Sequence, residues 1–186
     1  MLEEIGAPYD VKLVKLSQGD NLKPDYLAVN PMGKVPALKH GDAVITEVAA
    51  ICTYLADEFP ANKLNVPTGT PRRGVYLKWL FFGPSVIEPA MTDRAFPRKE
   101  NPRAASVGWR DFDMVLDIVT KGLTPGPYLM GEQFTAADVV IGSALRYGMM
   151  FKLIPEREEF ADYVGRLTAR PAAKRAEAKD KQLSAA

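Results

Sequence analysis

The sequence predicts a small α/β domain followed by an all-helical domain, with a short linker between them. Strand and helix signals are mixed over the first 59 residues, whereas the segments beyond Arg72 have helical character throughout. The intervening stretch, PANKLNVPTGTP at residues 60–71, is rich in the residue types of turns and loops. We therefore expect one domain at residues 1–60 and a second at residues 72–186.

Four segments of the first domain have recognisable signals. They are a helix end at residues 2–6, a strand at residues 9–16, a hairpin at residues 35–46 and a helix at residues 47–59. Gly6 is typical of a helix C-cap, and the Gly41-Asp42 pair suits the two-residue turn of a hairpin. The strand prediction rests on YDVKLVKL, in which apolar and polar side chains alternate.

The second domain is predicted to consist of helices. They are expected at residues 72–82, 104–123, 136–145, 156–168 and 171–181, with a kink or break at Gly83-Pro84. The clearest local signal is a capping box in which Thr135 and Asp138 bond each other's amides. Phe134 and Val139 flank this box as a hydrophobic staple. The helix that follows is apolar nearly all round, so we expect it to be the buried centre of a bundle.

Composition argues against several classes of function. The 24 basic and 23 acidic residues leave a net charge of +1, which provides no field for binding nucleic acid. No apolar run reaches the roughly 20 residues that span a bilayer, and the acidic start does not resemble a signal peptide. The single cysteine, Cys52, and the single histidine, His40, argue against a disulfide framework and clustered zinc sites. We expect a cytoplasmic protein without bound metal whose chemistry depends on a small molecule.

Three segments of the chain resemble motifs of one protein family. NPMGKVPAL at residues 30–38 and ITEVAAI at residues 45–51 resemble the two halves of the glutathione site in the bacterial-type cytosolic glutathione S-transferase superfamily. The capping box at residues 134–138 resembles the one in the helical domain of that family. The resemblance implies a thioredoxin-like N-terminal domain, an all-α helical-bundle C-terminal domain and a two-fold homodimer. It also implies glutathione as co-substrate and a small hydrophobic electrophile as the second substrate.

The resemblance gives five residues a role in binding glutathione. Val35 is expected to pair its main chain with the cysteine unit of the tripeptide, next to a cis bond to Pro36. Lys34 would approach the glycine carboxylate as a point charge. Glu47 would accept hydrogen bonds from the γ-glutamyl ammonium, while the γ-glutamyl carboxylate meets the helix N-terminus at Val48. The family usually has serine at the position of Val48. Losing the hydrogen bond that the serine hydroxyl would donate is expected to cost about 1.5–3 kcal/mol of glutathione affinity.

Each of these residues also has a plainer interpretation. Lys34 is more often solvated, Glu47 suits the first turn of a helix, and Val-Pro often begins a strand. We expect Cys52 to be a small core residue and His40 to be exposed beside the hairpin turn. Six further side chains suit an electrophile pocket but are more often core or dimer contacts: Trp79, Phe81, Phe82, Met149, Met150 and Phe151.

The resemblance assigns no catalytic residue. In the family, a Ser, Tyr or Cys near the first strand stabilises the thiolate, and residues 1–6 resemble the tail of the helix after that strand. The chain is therefore expected to lack the first β-strand and the thiol-activating residue, with its start codon lying upstream. Tyr9 falls on the following predicted strand, which is the wrong place for this role.

The sequence and the family resemblance lead to three hypotheses about function. The leading hypothesis is a transferase that lowers the thiol pKa of glutathione, so that the thiolate attacks an apolar electrophile. A rival is a non-catalytic module of this fold that scaffolds partners or regulates transcription or translation, which Val48 and the missing strand favour. A third is a glutathione-dependent isomerase or dehalogenase. The sequence does not identify the electrophile, because such pockets consist of unspecific apolar side chains.

Overall fold

The computed structural model describes residues 1–100 and 102–184, so Asn101, Ala185 and Ala186 of the predicted second domain lie outside it. In the first part of the chain, the elements are α1 (Leu2–Ile5), α2 (Pro24–Leu27), β1 (Leu38–His40), β2 (Ala43–Ile45) and α3 (Val48–Glu58). The later helices are α4 (Pro71–Phe82), α5 (Glu88–Ala95), α6 (Phe112–Leu123), α7 (Ala136–Met150), α8 (Glu158–Thr168) and α9 (Pro171–Ser184). Short 3₁₀ turns lie at Leu16–Gln18, Asp20–Leu22, Pro60–Asn62 and Ala104–Ser106, and a π-helix at Gly83–Ile87 joins α4 to α5. The order confirms a small α/β part followed by a helical part.

The predicted hairpin is confirmed. Strands β1 and β2 pair antiparallel, with Leu38 opposite Ile45 and His40 opposite Ala43. Gly41 takes a φ of 59° in the turn, a left-handed conformation that glycine adopts without steric cost. His40 lies exposed at this end of the hairpin, as expected, and its Nδ1 is 2.7 Å from the Tyr54 hydroxyl.

The strand predicted at residues 9–16 is wrong. Residues 7–15 take no regular secondary structure, and within the described residues the sheet consists of β1 and β2 alone. Alternation makes a strand only where a neighbouring strand supplies hydrogen bonds, and here none does. Val11 and Leu13 remain exposed as a result. Tyr9 instead donates a hydrogen bond from its hydroxyl to Glu3, at 2.8 Å.

Ion pairs hold α1 against α9. The Glu4 carboxylate accepts two hydrogen bonds from Arg170, at 2.7 and 2.8 Å. Glu3 lies 2.9 Å from Arg175 and 3.0 Å from Lys179. Hydrogen bonds from Lys179, Tyr9 and Arg175 lower the pKa of Glu3 to about 2. The first turn is therefore attached to the last helix, and its end at Gly6, with a φ of 73°, is as predicted.

The structure refines two helix predictions in the second domain. Of the kink or break predicted at Gly83-Pro84, the chain does not break but continues through the π-helix, in which the missing amide of Pro84 removes an ordinary helical hydrogen bond. The helix predicted at residues 104–123 begins only at Phe112. Asp111 caps it, because its carboxylate accepts from the amides of Asp113 and Met114 at 2.9 and 3.1 Å.

Helix α7 lies at the centre of the core, as predicted. It packs against α3, α4 and α8, so the helix of the first part and the bundle of the second share one set of buried side chains. Trp79 of α4 is buried against α6, where Gly122 makes room for it. A Cβ at position 122 would lie 2.3 Å from the indole ring, so any larger residue would force the ring to move. Cys52 is buried in this same core, as predicted.

The capping box of α7 carries a buried polar network. Asp138 is fully buried, and its carboxylate accepts hydrogen bonds from the amides of Leu129 and Thr135, at 2.9 and 2.8 Å. The hydroxyl of Tyr163 on α8 donates to the same carboxylate at 2.8 Å. Burial raises the pKa of Asp138, while these hydrogen bonds oppose the rise. The box therefore joins α7 to α8 and to the loop before it.

The segment between α3 and α4 is anchored to both parts of the molecule. Leu64 and Val66 are buried in the shared core. Arg73 of α4 lies 2.6 Å from Asp57 of α3, and it also donates to the carbonyl of Val66 at 2.7 Å. Gln133 lies in the loop before α7, and its side-chain amide donates hydrogen bonds to the carbonyls of residues 63 and 65. These contacts fix the position of α3, and with it the site described next.

None of the helices among the described residues has both the length and the apolar character needed to cross a membrane.

Candidate functional site

The loop before β1 is held in shape by side chains from α2 and its surroundings. Asn30, only 3% exposed, donates from its amide to the Lys34 carbonyl at 2.7 Å and accepts from the Met32 amide at 3.1 Å. Asn21 donates to the carbonyl of Gly33 at 2.8 Å. Gly33 has a φ of 61°, and a Cβ there would lie 3.0 Å from the Asn21 carbonyl oxygen. The loop conformation thus requires glycine at this point.

These hydrogen bonds end at Lys34, and the main chain of the next residue, Val35, has no hydrogen-bond partner among the described residues. The Lys34 carbonyl accepts both from Asn30 and from the Tyr26 hydroxyl, the latter at 2.7 Å. Val35 follows with a cis bond to Pro36, as predicted, and its side chain is 43% exposed. Its amide and carbonyl form no hydrogen bond with the described part of the chain. An exposed main chain of this kind can pair with an extended peptide.

The hairpin register brings the two halves of the motif together. Pro36 lies two residues before Leu38, and Glu47 lies two residues after Ile45, while Leu38 and Ile45 face each other across the ladder. Lys34, Val35 and Pro36 therefore enter the sheet at the same end from which Glu47 and Val48 leave it. The structure thus places all five predicted residues around one end of the hairpin.

Glu47 has an unusual backbone. Its φ of 68° and ψ of 118° are rare for a residue with a side chain, and such conformations cluster at functional sites. Helix α3 begins directly after it at Val48, and among the described residues no side chain caps this N-terminus. The first amides of α3 are therefore available to an anion, next to a carboxylate that can receive a cation. Val48 is 39% exposed, so its surface faces solvent at this end of the helix.

The arrangement suits a small zwitterionic peptide. Unpaired main-chain groups at Val35, the ammonium of Lys34, the carboxylate of Glu47 and the N-terminus of α3 offer one partner for each polar part of such a ligand. No group of three or more metal-binding side chains occurs within the described residues. Burial raises the pKa of Cys52 to about 11, so this thiol stays protonated at neutral pH.

Two contributors to this region could not be predicted from the sequence. Tyr26 and Asn21 shape the loop, but a lone tyrosine and asparagine in a polar stretch give no signal until the fold places them. Burial and then the charge of Glu47 raise the pKa of Glu88, the first residue of α5.

The six side chains considered for an electrophile pocket have different surroundings. Trp79 is buried, and Phe82 packs edge-on against it at 5.5 Å between ring centres. Phe81, Met150 and Phe151 are more than half exposed. The set therefore divides into residues packed in or against the core and residues on the surface.

The fold defines the class of two-domain proteins in which a thioredoxin-like domain precedes an α-helical bundle. The N-terminal domain of glutathione S-transferase matches residues 1–58, and the C-terminal domain of glutathione S-transferase matches residues 86–171. Glutathione S-transferase GstA of Escherichia coli O157:H7 is 31% identical over 164 residues, which cover 87% of this chain and 79% of that protein. The chain belongs to the glutathione S-transferase family.

Solved structures agree with this assignment. A glutathione transferase from Methylococcus capsulatus strain Bath superposes with a TM-score of 0.76 at 31% identity, covering 97% of this chain and 91% of that one. A sphingomonad glutathione S-transferase, solved in complex with glutathione, has a TM-score of 0.73 at 27% identity. That alignment covers 94% of this chain and 88% of the other.

Proposed function

We propose that the protein is a glutathione transferase that adds the thiolate of glutathione to a small apolar electrophile. The observation that carries the proposal is the juxtaposition, at one end of the hairpin, of the unpaired Val35 main chain, Glu47 and the uncapped N-terminus of α3. The family supports it, as does the glutathione bound in the sphingomonad structure. No catalytic residue is assigned.

In this proposal, glutathione lies along residues 34–36 and ends at α3. Its cysteine unit pairs with the main chain of Val35, and its glycine carboxylate approaches Lys34. Its γ-glutamyl ammonium binds Glu47, and its γ-glutamyl carboxylate meets the amides that begin α3 at Val48. We keep the domain limits proposed from the sequence, residues 1–60 and 72–186. With these limits, the proposed glutathione-binding residues lie in the first domain. We also propose a cytoplasmic location.

Retention on immobilised glutathione, followed by a conjugation assay with a chromogenic aryl halide, tests the function. We expect the protein to be retained, to be eluted by free glutathione and to consume thiol in proportion to the product formed. Failure to be retained would contradict the binding site. Retention without conjugation of any of a panel of halides, epoxides and enones would favour the rival hypothesis of a non-catalytic module.

We propose that the functional unit is a homodimer whose interface includes α4. The arginines at the start of α4 are already used within the chain, since Arg72 donates to the Met130 carbonyl and Arg73 pairs with Asp57. Val75 and Phe81 on this helix are 47% and 51% exposed, and they are the apolar side chains that an interface would bury. Sedimentation should show a dimer at micromolar concentration, and Phe81→Asp should shift it towards monomer. A parent protein that sediments only as monomer would argue against the dimer.

A further inference from the structure

The segment that joins α5 to α6 is strongly basic. Residues 93–110 contain two acidic side chains and five basic ones: Arg94, Arg98, Lys99, Arg103 and Arg110. This segment therefore has a net charge of +3, whereas the whole chain has a net charge of +1. The rest of the chain is thus slightly acidic. All five basic residues are exposed, so the segment presents a local positive surface to solvent.

Most of this positive charge is not neutralised within the protein. Arg98 pairs with Asp93 at 2.9 Å, and the other four basic side chains form no ion pair with the described residues. Asp111, the next acidic residue along the chain, is already used in capping α6. Four cationic groups are therefore available to an external anion.

An exposed aromatic ring lies within the same segment. Phe96 follows the last residue of α5 and is 76% exposed, the largest fraction for a large apolar side chain among the described residues. Trp109, at the other end, packs against the core, and the guanidinium of Arg98 lies 5.7 Å from its ring centre. The segment is thus attached at both ends, and Phe96 projects into solvent between basic neighbours.

We propose that residues 94–110 form a docking surface for an anionic lipid membrane. The four unpaired cations approach the phosphate and carboxylate groups of the lipids, and Phe96 inserts at the level of the headgroups. The anionic leaflet of a plasma membrane faces the cytoplasm, which is the location proposed above. A protein can bind a membrane surface in this way without a helix that crosses the bilayer.

Charge and shape favour a membrane over nucleic acid as the partner. Single-stranded nucleic acid binds by stacking successive bases on exposed aromatic faces. In this segment the Trp109 ring packs against the core and lies beside Arg98, which leaves Phe96 as the freely exposed ring. The inference is independent of the proposed transferase function, because no residue assigned to glutathione lies in the segment.

Co-sedimentation with lipid vesicles tests the inference. The vesicles contain either phosphatidylcholine alone or equal parts of phosphatidylcholine and phosphatidylserine. The test variant combines Arg94→Gln with Lys99→Gln, and the matched control combines Lys12→Gln with Lys174→Gln. All four side chains are exposed and form no ion pair with the described residues, and both variants remove the same charge.

We expect the parent to bind the mixed vesicles and not those of phosphatidylcholine alone. The test variant should bind the mixed vesicles at least about tenfold more weakly, since each basic residue near an anionic surface contributes about fivefold. The control variant should bind as the parent does. Phe96→Ser, which keeps every charge, should also weaken binding, and circular dichroism checks that each variant is folded.

Three results would each overturn the inference: a parent that does not sediment with the mixed vesicles, equal binding to both kinds of vesicle, or equal weakening by the test and control variants. Binding to single-stranded oligothymidylate without binding to the mixed vesicles would also overturn it, in favour of a nucleic-acid surface. A parent that binds the mixed vesicles but is not retained on immobilised glutathione would overturn the proposed function and leave this inference supported.

Discussion

Replacing Asp138 by alanine is expected to lower the free energy of unfolding by at least about 3 kcal/mol. The substitution removes the acceptor of four buried donors, namely the amides of Leu129 and Thr135 and the hydroxyls of Thr135 and Tyr163. Each buried donor left unsatisfied costs about 1–3 kcal/mol, and the four belong to one network. Urea denaturation followed by circular dichroism measures the change, provided that the slope of the transition stays the same.

Tyr163→Phe is the matched control for this prediction. This substitution removes the Tyr163 hydroxyl and leaves the other three hydrogen bonds of Asp138 intact, so we expect the free energy of unfolding to fall by only about 1 kcal/mol. If Asp138→Ala unfolds within about 1 kcal/mol of the parent, the network does not stabilise the fold in the way proposed.

Replacing Glu47 by alanine is expected to weaken glutathione binding at least about tenfold, since the γ-glutamyl ammonium loses its carboxylate partner. The backbone conformation of Glu47 offers a sharper variant. With a φ of 68°, this position is strained for any residue with a Cβ, so Glu47→Gly should fold at least as stably as the parent. Glu47→Gly should also bind glutathione as weakly as Glu47→Ala does. Calorimetric titration with glutathione, paired with thermal unfolding, separates the two effects.

Glu47→Gln completes this series, because it keeps an acceptor oxygen and removes the charge. We expect its affinity to lie between that of the parent and that of Glu47→Ala. A Glu47→Ala protein that binds glutathione as tightly as the parent would show that the γ-glutamyl end lies elsewhere.

Elements defined by local signals were predictable from the sequence. The hairpin at Gly41-Asp42, the cap at Gly6 and the box at Thr135 and Asp138 each depend on residues within a few positions of one another. The five candidate site residues were also proposed from the sequence, since their motif is contiguous on each side of the hairpin, and their role in binding glutathione stays a prediction. Predictions failed where a distant partner decides the outcome. Residues 9–16 have the pattern of a strand but no neighbouring strand to pair with.

The sequence alone determined that a small α/β part precedes a helical part, that α7 is buried, and to which family the motifs point, because these follow from short-range periodicity, capping and turn chemistry. Only the tertiary structure decided which side chains meet. It placed Tyr26 and Asn30 on the Lys34 carbonyl and Tyr163 on Asp138. The physical reason is that these contacts join separate segments of the chain, and their geometry is set by how helices pack around a shared core rather than by any local pattern.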